Sequence, residues 1–155
     1  MKKSLVLLLI SSLVSGLYAR QPRTVVEPPF AFRNSGTLEI KRIELAPEST
    51  TVYIQAYFRP HNWIRISSET YIRAGAEGEK LTVRSADGMP LDTEFYMPET
   101  GRHDFSLSFP PVDPKTAKID LIESDCPDCF KIYDIDLTGK KAKPGRSALA
   151  KKYKK

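Results

Sequence analysis

The two cysteines of the chain lie three residues apart, in the segment Cys126-Pro127-Asp128-Cys129. This spacing allows a small reversible disulfide, and thiol oxidoreductases place it at a helix N-terminus, where the helix dipole lowers the thiol pKa. Here residues 130–135 alternate as a strand, and Asp125 and Asp128 would raise the pKa of the thiols. We therefore expect a structural disulfide that closes a turn between two strands, with a labile, exchanging disulfide as the alternative.

Metal binding is a further interpretation, because Cys126 and Cys129 have the spacing of half a tetrahedral zinc site. His61 and His103, however, are far from each other and from the cysteines in the sequence. An oxidised cysteine pair is also not available as a ligand. We expect no bound metal and no cofactor. The chain has no nucleophile elbow, phosphate-cradling loop or paired histidine base, so we predict that it is not an enzyme.

The segment around Arg59, His61, Trp63 and Arg65 has the composition of a recognition loop. Trp, Tyr and Arg dominate interface hot spots because they bury a large area and keep a polar group. These four residues are our candidates for binding a protein or a glycan. The alternative is that Trp63 fills the core, as a tryptophan often does in a β-sandwich.

Short segments of alternating apolar and polar residues must position these candidates. The alternation has period two, which is typical of half-buried strands, and Pro and Gly residues punctuate it at short intervals. It breaks twice, at Lys41–Arg42 and at Tyr133–Asp134, where a β-bulge would return the apolar residues to one face. The pattern predicts an all-β fold, an immunoglobulin-like antiparallel sandwich of seven or eight strands over residues 37–138.

The chain ends differ from this body. Lys2 and Lys3 precede a short apolar run and small residues up to Ala19, which predicts a signal peptide over residues 1–19 and an extracytoplasmic location, in the periplasm, the outer envelope or outside the cell. Residues 20–36 contain three prolines and are expected to form an extended leader. Residues 139–155 are expected to form a flexible basic tail.

The basic character of the chain comes from its ends. Two of the 24 Lys and Arg residues lie in the predicted signal peptide and eight lie between Lys140 and Lys155, so the body is acidic, with all 19 Asp and Glu. A nucleic-acid-binding domain carries its basic surface on the fold itself, and we expect no nucleic-acid partner. The tail can bind an anionic membrane surface, contact the acidic body or only improve solubility.

A resemblance covers residues 37–137. The matching segments are residues 37–40 (TLEI), 42–45 (RIEL), 57–60 (YFRP), 63–66 (WIRI), 86–88 (ADG), 97–101 (MPETG) and 125–132 (DCPDCFKI). In order and spacing they resemble the β-rich N-terminal region that precedes the thioredoxin-fold domain in exported TlpA-like proteins of Gram-negative bacteria. The sequence continues after Leu137 with the Lys-rich segment instead of that domain, so the redox activity of the domain is not carried over.

The resemblance implies an accessory β-sandwich. We therefore expect a non-catalytic binding or accessory module of the envelope, associated with an exported thioredoxin-fold partner. The alternative is a small thiol–disulfide redox protein that acts through Cys126 and Cys129.

The predicted signal peptide gives the first testable expectation. Residues 1–19 should be removed on export, because the apolar run is about half of the roughly 20 residues that a spanning helix needs. Mass spectrometry of the envelope protein should find a mature N-terminus at Arg20 or within a few residues of it. Recovery of an intact N-terminus from the membrane would show an uncleaved anchor instead.

Overall fold

Twelve β-strands make up the regular structure of residues 22–139, the part of the chain that the computed structural model describes. The strands are β1 (Arg23–Val26), β2 (Phe32–Arg33), β3 (Leu38–Leu45), β4 (Thr50–Tyr57), β5 (Trp63–Ile64), β6 (Tyr71–Arg73), β7 (Leu81–Thr82), β8 (Ser85–Asp87), β9 (Phe95–Tyr96), β10 (Arg102–Phe109), β11 (Lys118–Ile122) and β12 (Lys131–Asp136). Over these residues no helix has the length and apolar character to cross a membrane. The predicted signal peptide and residues 140–155 of the predicted tail lie outside the described residues.

The strands form two five-stranded sheets and one two-stranded sheet, with the orders β1-β3-β4-β10-β8, β2-β12-β11-β6-β7 and β5-β9. Every pairing is antiparallel. The predicted all-β sandwich is confirmed. The number of strands exceeds the expected seven or eight because β2, β5, β7 and β9 have two residues each, too few to show an alternation in the sequence.

The core lies between the two large sheets. Along β4 every second residue is buried, and the same holds for the second half of β10, so each strand turns one apolar face inward. These faces belong to one cluster with buried residues of β6, β11 and β12. Each fully buried Leu, Ile or Phe side chain stabilises the fold by about 1.5–3 kcal/mol relative to an exposed one.

Both predicted bulges are confirmed. Opposite β4, the register of β3 shifts between Ile40 and Arg42, so that Lys41 is the extra residue. In β12 two residues, Tyr133 and Asp134, face the single residue Asp120 of β11. Each bulge returns the apolar residues on its two sides to the same face of the sheet.

The buried side chain of Asp120 stabilises the second bulge. Asp134 has a φ of 54°, a left-handed conformation that is uncommon without glycine. Its backbone N–H donates to Oδ1 of the buried Asp120 at 3.0 Å, and Arg73 Nε pairs with Oδ2 at 3.2 Å. The carboxylate therefore satisfies a backbone donor that the bulge removes from the ladder.

The expected leader takes part in both large sheets. Its strand β1 pairs with β3, where Val25 is buried, and its strand β2 pairs with β12. The ring of Phe32 in this leader lies 6.3 Å from that of Tyr133, centroid to centroid. Phe30 is exposed, with the Arg33 guanidinium 5.3 Å from its ring centre.

Gly101 permits the close approach of two segments at the start of β10. Its φ is 64°, its carbonyl accepts the Phe58 N–H at 3.0 Å, and a Cβ at this position would lie 2.6 Å from the Phe58 carbonyl oxygen. A side chain is therefore excluded both by the backbone conformation and by the neighbouring backbone.

We expect Gly101→Ala to lower the free energy of unfolding by at least about 1–2 kcal/mol, the cost of a left-handed conformation for an L-residue. Gly36→Ala is the matched control, because no atom lies within 4 Å of the added Cβ. Urea unfolding of both variants measures the difference. Equal stability of the two variants would contradict the assignment.

Candidate functional site

An exposed aromatic pair lies on the small sheet β5-β9. Trp63 and Tyr96 are directly opposite each other, and their exposed fractions are 48% and 61%. Opposite residues in an antiparallel pair point to the same side, so these two rings form one surface, here named the aromatic face. Ile64 points the other way and is buried. Of the two interpretations of Trp63, the core position is therefore wrong, and the exposed position is the observed one.

The turn before Trp63 is fixed by its backbone. The N–H of Asn62 donates to the carbonyl of Arg59 at 3.2 Å, and His61 has a φ of 61°. His61 N–H donates to Met97 O at 3.0 Å, and Met97 N–H donates to Asn62 O at 2.9 Å. Met97 is buried, so the turn is attached to the core. The His61 imidazole lies 2.6 Å from a carboxylate oxygen of Glu99 on the surface.

Arg65 joins this strand to two other loops. Its guanidinium makes a hydrogen-bonded ion pair with Asp125, next to the cysteines, and lies 3.8 Å from Asp92 in the loop before β9. The Asp125 hydrogen bond raises the pKa of Arg65. Asp92 also accepts the Ser68 N–H at 2.9 Å, and hydrogen bonds from Ser68 lower the pKa of Asp92. The charge of Arg65 is therefore paired with carboxylates of the same chain.

Cys126 and Cys129 form a disulfide in the turn between β11 and β12, with their Cα atoms 5.2 Å apart. This confirms the predicted disulfide, and the segment after it is a strand, as predicted. Asn34 fastens the turn to the leader. Its side-chain amide donates to Cys129 O at 2.8 Å, while its side-chain oxygen accepts the Lys131 N–H at 2.7 Å.

Glu123 directly follows β11, three residues before Cys126, and is buried. Its carboxylate accepts the Ser67 N–H at 2.7 Å. Burial raises the pKa of Glu123, and the charge of Asp125 acts in the same direction, while the Ser67 hydrogen bond and Arg65 oppose the shift. A cavity of about 220 Å³ opens beside it, and Phe58, Ile64, Arg65, Glu123 and Phe130 are part of its lining.

Tyr53 and Tyr57 belong to β4, and both contact charged side chains. Their rings lie on the outer face of β4, with the guanidinium of Arg42 3.5 Å from the Tyr53 ring centre and that of Arg102 5.6 Å from the Tyr57 ring centre. Each hydroxyl donates to a glutamate at 2.9 Å, and the bond from Tyr57 raises its pKa. These two rings are engaged by charged neighbours on their own sheet.

The structure places Arg59 and His61 in the turn before Trp63, the first residue of β5, and connects Arg65 to the disulfide turn. The sequence analysis missed Tyr96, Asp92 and Glu123. Tyr96 belongs to a two-residue strand, so its place beside Trp63 follows only from the pairing of β5 with β9. The sequence shows Glu123 as an acid three residues before Cys126, but it does not show that this acid is buried.

Comparison with protein-family models, with curated proteins and with solved structures found no match for this chain. The resemblance to TlpA-like N-terminal regions therefore stays a prediction. The disulfide is a bond that oxidising compartments favour.

Glu123 gives a pH-dependent prediction. Because its pKa in the folded protein is raised, folding favours the protonated form, and its contribution to stability falls as the pH rises above the ordinary value of 4.5 and through the folded pKa. Glu123→Gln should therefore gain stability relative to the wild type between acidic and neutral pH.

Urea unfolding at a series of pH values measures this change, with Glu48→Gln at an exposed site as the control. Parallel pH profiles of the wild type and Glu123→Gln would contradict the prediction.

Proposed function

We propose that this protein is a non-catalytic binding module of the cell envelope, which engages a protein partner through the aromatic face. The observation that carries this proposal is the exposure of Trp63 and Tyr96 side by side on a strand pair attached to the core. Trp and Tyr rings bury a large area on binding, and they are among the residue types that contribute most to the binding free energy of an interface.

The aromatic face is organised before it meets a partner. The Tyr96 hydroxyl donates to a carboxylate oxygen of Glu94 at 3.0 Å, a bond that raises the Tyr96 pKa. In the turn before Trp63 the backbone is hydrogen-bonded to Met97, and the His61 imidazole pairs with the Glu99 carboxylate. A rigid surface loses less conformational entropy on binding, which favours affinity.

The rim of the face is polar. Arg59 and His61 are exposed in the turn before Trp63. An aromatic centre with a polar rim is the usual arrangement of protein interfaces. The predicted signal peptide and the disulfide support an extracytoplasmic partner, and the sequence resemblance suggests an exported thioredoxin-fold protein as its class.

Thiol–disulfide exchange through Cys126 and Cys129 is the second candidate function. The position of the disulfide favours it, since Asp125, Pro127 and Asp128 of the same turn are exposed to solvent. The reduction potential separates the two roles, because structural disulfides lie below about −300 mV and exchanging ones lie well above that value.

The aromatic face is tested by a pull-down from envelope extract with the mature protein and with the double variant Trp63→Ala/Tyr96→Ala. Retention of a specific protein should be lost in the variant, and the Kd for the isolated partner should rise about 30-fold, as expected for a hot spot of about 2 kcal/mol. Val26→Ala, at an exposed apolar residue of β1, is the control and should bind as the wild type does.

Protease treatment of the extract should abolish the captured material; capture that survives this treatment indicates a glycan instead. Equal retention of the partner by the double variant and the wild type, with both proteins folded, would refute the proposed face.

A further inference from the structure

Three potential metal ligands converge at the disulfide turn. A carboxylate oxygen of Asp125 and the sulfur atoms of Cys126 and Cys129 all lie within 4.8 Å of one another. Among residues 22–139 this is the one group of three or more such side chains close enough to hold an ion. The Asp125 Oδ1 atom is 3.3 Å from Cys129 Sγ.

These separations suit a tetrahedral ion once the disulfide is reduced. With Zn–S bonds of about 2.3 Å and Zn–O bonds of about 2.0 Å, two ligand sulfurs lie about 3.8 Å apart, and a sulfur and an oxygen lie about 3.5 Å apart. The Asp125–Cys129 pair is already near the second value. The sulfurs need only separate, and the Cα distance of 5.2 Å leaves room for both side chains to point to one ion.

Neighbouring residues hold the turn independently of the disulfide. Arg65 bonds to Asp125 through Oδ2, which leaves Oδ1 directed at the sulfur. Lys131 Nζ donates to Pro127 O at 3.0 Å, and the Asn34 side chain donates to Cys129 O. A partner that orients a ligand in this way increases metal affinity.

We propose that reduction of the Cys126–Cys129 disulfide converts this turn into a site for a thiophilic divalent cation of the Zn²⁺ class, with Asp125, Cys126 and Cys129 as ligands. The fourth position is open to water or to a group of a partner protein. This inference does not depend on the aromatic face.

The conversion requires an external dithiol as the reductant. The dithiol supplies two electrons and two protons, the S–S bond breaks to give two thiols, and the dithiol becomes a disulfide. The cation then binds the two sulfurs as thiolates, and their protons pass to solvent. Without the cation Asp125 opposes thiolate formation, whereas a dipositive ion attracts all three groups.

Cobalt titration of the reduced protein tests the site. The full mature protein is reduced with a phosphine under anaerobic conditions and titrated with Co²⁺. One equivalent should produce thiolate-to-cobalt charge-transfer absorption and the visible bands of a tetrahedral ion, and Zn²⁺ should displace it. The oxidised protein should show neither signal. Absence of a thiolate–cobalt band in the reduced protein, or equal binding by the oxidised protein, would overturn the proposal.

A matched pair of variants tests the carboxylate ligand. Asp125→Asn should weaken Zn²⁺ binding at least about tenfold in competition with a chromophoric chelator, while it keeps the thiolate–cobalt band. Asp128→Asn removes an acid of the same turn that is outside the ligand group, and its affinity should stay within about twofold of the wild type. If the two variants lose the same affinity, or if neither loses any, the three-ligand site is refuted.

Discussion

The packing of the inner faces of the two large sheets constrains every other part of this protein. Residues of β4 and β10 on one sheet and of β6, β11 and β12 on the other form one buried cluster. Because the side chains of a strand alternate, a register error of one residue would turn an entire apolar set to solvent. Polar residues of the strands therefore lie mainly on their outer faces and at their ends, with Asp120 of β11 as a buried exception.

The bulges are consequences of this constraint. Without the extra residue Lys41, either the first or the second half of β3 would turn its apolar side chains away from the core. The bulge in β12 does the same for Ile132 and Ile135, and it requires Asp120 inside the sheet as a hydrogen-bond acceptor. A buried carboxylate is costly unless it is paired, and Arg73 supplies the charge that balances it.

The candidate sites lie where the sandwich gives way to loops. The aromatic face uses a strand pair outside the two large sheets, and the disulfide turn follows the end of β11. Arg65 connects the two sites, because it directly follows β5, the strand of Trp63, and pairs with Asp125 beside the cysteines. The Arg65–Asp125 ion pair therefore links the disulfide turn to the residue that directly follows β5.

The sequence by itself determined the all-β class, both bulges, the disulfide and the strand after it. These features follow from local information: the period of the apolar residues, a break in that period, and two cysteines that a single turn brings within disulfide distance. The position of Arg59 and His61 beside Trp63 also follows from their short separation in the chain.

Only the tertiary structure decided that Trp63 is exposed and that Tyr96 stands beside it. Both residues belong to two-residue strands, and so short a segment has no periodicity from which a face can be assigned. The ion pairs of Arg65 with Asp92 and Asp125, and the burial of Glu123, join residues far apart in sequence. Such contacts depend on how the sheets pack, which a local pattern does not encode.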